Sequence, residues 1–318
     1  MDGPINISRR EILQMATRFP VLSFGASLIG SCDSSRAPRA TPTPGNPSPV
    51  PSTPNDFDYL NLALNFAYLE GQFYSFAAKG TGLASGLLEG LGARGVVRGG
   101  SQVDFTDGLL RQHSREIAGH TEAHIVLLRS ILGSIAVAQP EIDMSAAPTG
   151  PFTVFARAAA IVGPAEEFDP FASTNNFLMA AFLFADPIVT LHNGLVPHIR
   201  DDSIRSDLTG LLAAKAYHAG LVRTTVQRMT TPSSIPYVEE TEGLSAVRDG
   251  FDGNMDLDQG VATIAGTANL VPTGAAGMVF ARTPAQVLNI FYMSSISADR
   301  GGFFPAGVNG TIRTSGNG

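Results

Sequence analysis

The chain of 318 residues has one cysteine, no tryptophan and only two lysines, Lys79 and Lys215. A single thiol cannot close a loop within the chain, so a disulfide-built scaffold is excluded. Charged residues make up only 15% of the sequence and the net charge is −7. That balance argues against nucleic acid as a partner, because such binding rests on clustered lysine and arginine neutralising phosphates. Arginine carries nearly all the positive charge. What the chain does have is 44% hydrophobic residues over a length sufficient for one or two domains. The positions of its rare residues, one cysteine and two lysines, therefore carry information.

The cysteine stands at the end of an N-terminal segment, 1–32, laid out as a signal peptide. Arg9 and Arg10 lie in a basic region that resembles a twin-arginine export signal, and an apolar stretch from Phe19 to Ile29 follows. With Arg18 and Pro20 breaking it, this stretch is too short to span a bilayer comfortably. Ile29-Gly30-Ser31-Cys32 resembles a bacterial lipobox, so Cys32 is the expected site of lipidation. Residues 33–55 are rich in Pro, Ser and Thr and read as a disordered tether, since they lack the apolar side chains needed to offset ordering entropy. The expected location is the periplasm or cell envelope, with the membrane reached through the lipid anchor.

The body, 56–231, reads as helices. Leu60, Leu64, Ala67, Phe73 and Phe76 make a stripe over 57–79, ended by Gly80. A second helix is expected over about 107–139, ended by Pro140. A third starts at a Ser173 or Thr174 cap and is so apolar that it should be central, with a kink at Pro187. The fourth runs over about 203–229. The remainder, 232–318, reads as a loop-rich extension with one helix, signalled by the cap, first-turn proline and capping-box glutamine of Thr283-Pro284-Ala285-Gln286. No sheet of any size is indicated, so the fold class is all-α.

Two helices share a pattern. His124 is followed by Leu127 and Arg129, and His218 by Leu221 and Arg223, at the same spacings. Bundles built from two helix pairs commonly place one such histidine from each pair in the core, three residues after a glutamate, to hold two metal ions. The segments DYLNLALNFAYLEGQFY, IAGHTEAHIVLLRSIL, FDPFASTNNFLMAAFLFADPIVTLHNGLVP, AKAYHAGLVRT and RTPAQVLNIFY extend the pattern. In order and spacing they resemble exported ferritin-like proteins related to the plant desiccation-related proteins. The resemblance covers nearly all of 56–310 and implies a ferritin-like four-helix bundle with an additional C-terminal helix and long loops.

It also implies where a di-iron site would sit. The four carboxylate positions fall on Ala67, seven residues before Tyr74; on Thr121, three before His124; on Ala185; and on Lys215, three before His218. Both histidines are kept and all four carboxylates are absent. Iron pairs require anionic oxygen ligands, so a degenerate site without cofactor is expected. The alternative is a remnant site for iron or zinc using His124, His218 and Glu70, with Glu122 and Asp186 as neighbours whose direction decides. His120 and His124, four apart, share a helix face and read either as a zinc or copper grip or as two hydrogen-bonded histidines. Lys215 either pairs in the core with Glu70 or Asp186, or reaches solvent along its stem.

Asp249, Asp252, Asn254, Asp256 and Asp258 form an oxygen-rich segment that could hold calcium. Leu257 stands where an EF-hand needs glycine and no twelfth-position glutamate follows, so a capped turn is the expectation. The functional expectation is an exported, lipid-anchored, non-catalytic ferritin-like protein with a stress, structural or binding role. The alternative is a metal-binding oxidase or iron-handling protein, and homo-oligomers are compatible with either.

Overall fold

The computed structural model describes residues 53–230, 236–264 and 267–316. The twin-arginine segment, Cys32 and nearly all of the tether lie outside them. From Asn55 onward the described chain forms one compact unit.

Four long helices make the bundle: α1 (Asp56–Lys79), α2 (Gly108–Leu132), α4 (Thr174–Leu195) and α5 (Asp202–Thr230). Helix α1 packs on α2, and α4 on α5. Asn55 caps α1 through its side chain and shares a capping box with Asp58, while Gly80 ends the helix at φ 74°. Ser173 caps α4 by accepting from Asn176 N–H. Helix α4 is long and apolar enough to cross a membrane, yet 83% of its apolar window is buried, as befits a central helix.

Between α1 and α4 the aromatic core is continuous. Phe73 stacks on Phe177 at 5.1 Å and meets Phe184 edge-on at 5.3 Å, and Phe184 meets Phe303 at 5.0 Å. Edge-on and offset pairs of this kind contribute about 0.5–1.5 kcal/mol each beyond the area they bury.

Helix α2 stops short of the expected Gln139. Gly133, at φ 56°, ends it, and the apolar run beyond is drawn out of the helix by strand-like bonds: Leu91 N–H to Ala136 O at 2.9 Å and Ala138 N–H to Leu91 O at 2.8 Å. The short helix α3 (Pro151–Ala158) follows before α4. Sheet structure among the described residues is limited to two two-residue pairs, Val97–Arg98 with Ile142–Asp143 and Thr263–Ile264 with Thr267–Ala268.

Among its described residues the extension holds two helices rather than one. The expected one is α7 (Pro284–Tyr292), capped by Thr283 and Gln286 as the sequence signals. The other is α6 (Tyr237–Asp252), within a stretch that reads as loop. Its buried residues, Tyr237, Thr241, Leu244, Ser245, Val247, Arg248 and Asp252, mix polar with apolar side chains, so the apolar stripe that reveals helices is weak.

Pro187 lies inside α4, where it leaves the carbonyl of Leu183 without its usual donor. Arg248 of α6 supplies one: its Nη1 donates to Leu183 O at 3.3 Å and to Phe182 O at 3.0 Å.

Candidate metal centre

Helix α1 brings Glu70 to the bundle interior, α2 brings Thr121 and the half-buried His124, and α5 brings Lys215 and His218, while His120 of α2 stands exposed at the edge of this group. Pairs three or four apart on a helix share a face, which is why α2 offers His120 with His124, and α5 offers Lys215 with His218, to the same region. Lys215 Nζ donates to Glu70 Oε2 in an ion pair whose side chains are only 2% and 5% exposed. Lys215 is thus a core residue, and of the two partners open to it the structure selects Glu70. Asp186 turns elsewhere, to Arg223 at 2.7 Å. Glu122 points outward and pairs with Lys79 at 3.0 Å. Ala67 and Thr121 are buried, and the Thr121 hydroxyl donates to Ile117 O of its own helix.

The histidines gather beside the ion pair. The His120 and His218 rings stack at 5.3 Å, with Nδ1 of one 3.0 Å from Nε2 of the other. His124 lies 6.1 Å from His218 and 6.5 Å from His120, ring to ring. His120 therefore has its nitrogen contact across the helix pair, with His218, and stacks loosely on His124 of its own helix. Nδ1 of His124 and Nδ1 of His218 are buried without a hydrogen-bond partner. His192 of α4, unremarked in the sequence, is also buried, its Nδ1 2.8 Å from Ile188 O.

Burial first, and then the Lys215 charge, push these imidazoles toward their neutral form. His124 falls to about 2, His218 to about 3 and His192 to about 4. The Tyr74 hydroxyl moves the other way, raised by burial and then by the Glu70 carboxylate.

This donor set does not fit a di-iron centre. Two iron ions require several anionic oxygens to bridge them and offset their charge. Here Glu70 supplies one carboxylate, and Lys215 already neutralises it. The Lys215 ammonium group stands where the resemblance implies a metal-binding glutamate.

A second buried polar system lies between α4, α5, α6 and the segment leading to α7. Arg223, Arg248 and Arg282 each have fully buried side chains. Arg223 binds Asp186, and Arg248 reaches Asp186 at 3.6 Å and Asp258 at 2.7 Å. Arg282 binds Asp252 at 2.7 Å and also Asp258. The Phe182 ring lies against both Arg223 and Arg248, at 5.3 and 5.0 Å. The sequence singles out Asp186, Asp252 and Asp258, and Arg223 as part of the His218 pattern, but not Arg248 or Arg282 and not the pairing. Their signal is the separation of arginines and aspartates along the chain, which no local pattern reports.

Comparison with known proteins agrees with this architecture. A family model described as a ferritin-like domain matches residues 55–228. The chain is similar to the ferritin-like catalase Nec2 of Nesocodon mauritianus, with 23% identity covering 81% of this chain and 84% of that protein. It is similar also to the desiccation-related protein PCC13-62 of Craterostigma plantagineum, with 25% identity covering 80% and 83%. No solved structure matches. The matched region takes in all four bundle helices nearly to the end of α5, and the chain belongs to the ferritin-like domain family.

Proposed function

We propose that this is an exported, lipid-anchored ferritin-like protein in which an ion pair has replaced the metal centre, serving a structural or binding role in the envelope under stress rather than catalysis. The observation that carries the reading is the buried Lys215–Glu70 pair. A metal ion near it would face an ammonium group instead of a carboxylate, and would have to compete with that ammonium for Glu70. Export and anchoring rest on the twin-arginine pattern at Arg9 and Arg10 and on Cys32 as the acylated residue. The similarity to a desiccation-related protein favours a stress role. The catalase activity in the name of Nec2 is not carried over, because the carboxylates for a redox-active iron pair are missing.

The second reading, a metal-handling protein, is favoured by one feature: the unpartnered Nδ1 atoms of His124 and His218. Ferrous oxidation and peroxide breakdown by the purified protein separate the two. Rates equal to those of a protein-free control are expected. A rate above it that disappears in a His124→Ala, His218→Ala double variant establishes the metal reading instead. For the anchor, mass spectrometry of membrane fractions from the native host should find acylated Cys32; an unmodified Cys32 there refutes it.

A further inference from the structure

The stretch from Gln259 to Ala281 contains no charged residue and no histidine. Two bundle side chains hold it in place. Arg223 of α5 donates through Nη2 to Asn269 O at 2.7 Å, and Asn193 of α4 donates through Nδ2 to Val279 O and Phe280 O, both at 3.1 Å. Between these fixed points the chain makes a hairpin. Thr273 bridges to Val279 in antiparallel fashion, Gly274 N–H donates to Met278 O at 3.0 Å, and Gly277, at φ 70°, donates to Gly274 O at 2.9 Å. The turn is Gly274-Ala275-Ala276-Gly277, so its tip carries no polar side chain. Val271 is 62% exposed and Met278 70%, with Ala275 and Ala276 exposed between them. Behind the tip, Leu270, Pro272 and Phe280 close an apolar cleft against Ala216 and Gly220 of α5.

Apolar residues scattered singly over a surface are ordinary, whereas a contiguous uncharged patch marks a place of contact. Surface turns usually carry Asn, Asp or Ser, and this one has none. A protein partner is met through a polar rim that fixes register, which the stretch does not offer. A lipid surface asks only for apolar side chains and a backbone whose polar groups are paired within the segment, and the tip supplies both. The anchor puts that surface in reach. Residues 33–54 join Cys32 to Asn55 and can extend to at most about 75 Å, while a compact domain of this size is about 50 Å across. Phe57, Leu91 and Ile135 also show at the surface, but their cleft includes Asp58, whose carboxylate opposes transfer out of water.

We propose that the hairpin 270–280 is a membrane-contacting element whose tip, Val271, Ala275, Ala276 and Met278, enters the headgroup boundary of the bilayer that holds the anchor. The inference rests on the lipid-anchor reading of Cys32. Because the tip has no charge, the contact does not select anionic lipid. The bonds from Arg223 and Asn193 to the stem then set which side of the bundle faces the membrane: the side of α4 and α5 that carries the hairpin.

The test uses the full acylated chain, set through its anchor into phosphatidylcholine vesicles whose acyl chains carry a nitroxide near the headgroup. Acylation of Cys32 leaves no free thiol, so Met278→Cys supplies a single site for an environment-sensitive fluorophore and Leu91→Cys supplies a control on the cleft with Asp58. Both side chains are exposed, so neither substitution disturbs the core. At position 278 the emission should shift to the blue and be quenched by the nitroxide, as entry by about 5–10 Å requires. At position 91 it should do neither. Adding Val271→Asp to Met278→Cys should remove most of the quenching. Quenching no greater at 278 than at 91 overturns the proposal. So does a blue shift at 278 that the nitroxide leaves unquenched, which means that a second copy or another protein covers the tip. Label taken up by the unsubstituted chain shows a free Cys32 and overturns the anchor, and the docking with it; an unlabelled wild type with no quenching at 278 overturns the docking alone.

Discussion

Replacing Lys215 by methionine removes an ammonium group and leaves the Glu70 carboxylate buried at 4% exposure without its partner. Breaking a buried pair from one side costs about 3–5 kcal/mol, a large part of the 5–15 kcal/mol that holds a typical domain folded. Glu70→Leu alone should cost a similar amount, since it strands the ammonium group. The double variant buries two apolar side chains of similar size and should unfold within about 1 kcal/mol of the wild type, or be more stable. The double is therefore expected to be at least about 4 kcal/mol more stable than the sum of the single losses. Urea unfolding followed by helix circular dichroism, with a constant slope, reads all four corners of the cycle. If each single variant costs under about 1 kcal/mol and the losses simply add, Lys215 and Glu70 do not form the desolvated pair described here.

Three other outcomes follow from the packing. His124, His218 and His192 have folded-state values below that of a free imidazole, so the unfolded chain takes up protons first as pH falls. Stability is then full above about pH 7 and declines from about 6.5 toward 4, by about 2 kcal/mol per fully buried histidine between pH 7.5 and 5 and less for the more exposed His124, as acid titration with urea melts should show. A methyl group on Gly194 would come within 1.9 Å of the Arg282 carbonyl oxygen, a backbone atom that cannot swing aside. Gly194→Ala should cost about 1–3 kcal/mol in the same melts through displacement of the segment leading to α7. Arg248→Lys keeps the charge but cannot supply donors at once to Leu183 O, Phe182 O and the two aspartates. A loss of about 2 kcal/mol or more, with faster amide exchange at the proline-broken turn of α4, is expected there.

The bundle was legible because its helices announce themselves. The Ser173 cap, the apolar length of α4 and the Thr283–Gln286 capping box all reappear as read. Helix α6 was hidden because the side it buries is made of Thr241, Ser245, Arg248 and Asp252 as much as of leucine and valine. The end of α2 was overrun because the apolar residues 135–138 continue its hydrophobic pattern while forming backbone bonds to another segment. At the candidate centre, spacing placed Lys215, Thr121 and Ala67 where carboxylates were expected, but spacing could not choose between Glu70 and Asp186. That choice depends on Arg223 and Arg248, which claim Asp186 across distances in sequence that no local rule spans.

The most direct measurement is the iron content of the purified protein after anaerobic incubation with excess ferrous iron and desalting, by elemental analysis against protein concentration. With Lys215 paired to Glu70 at the centre of the bundle, well under one iron per chain should remain. About two irons per chain, the loading of an intact di-iron bundle, would contradict the replacement of the metal centre by an ion pair.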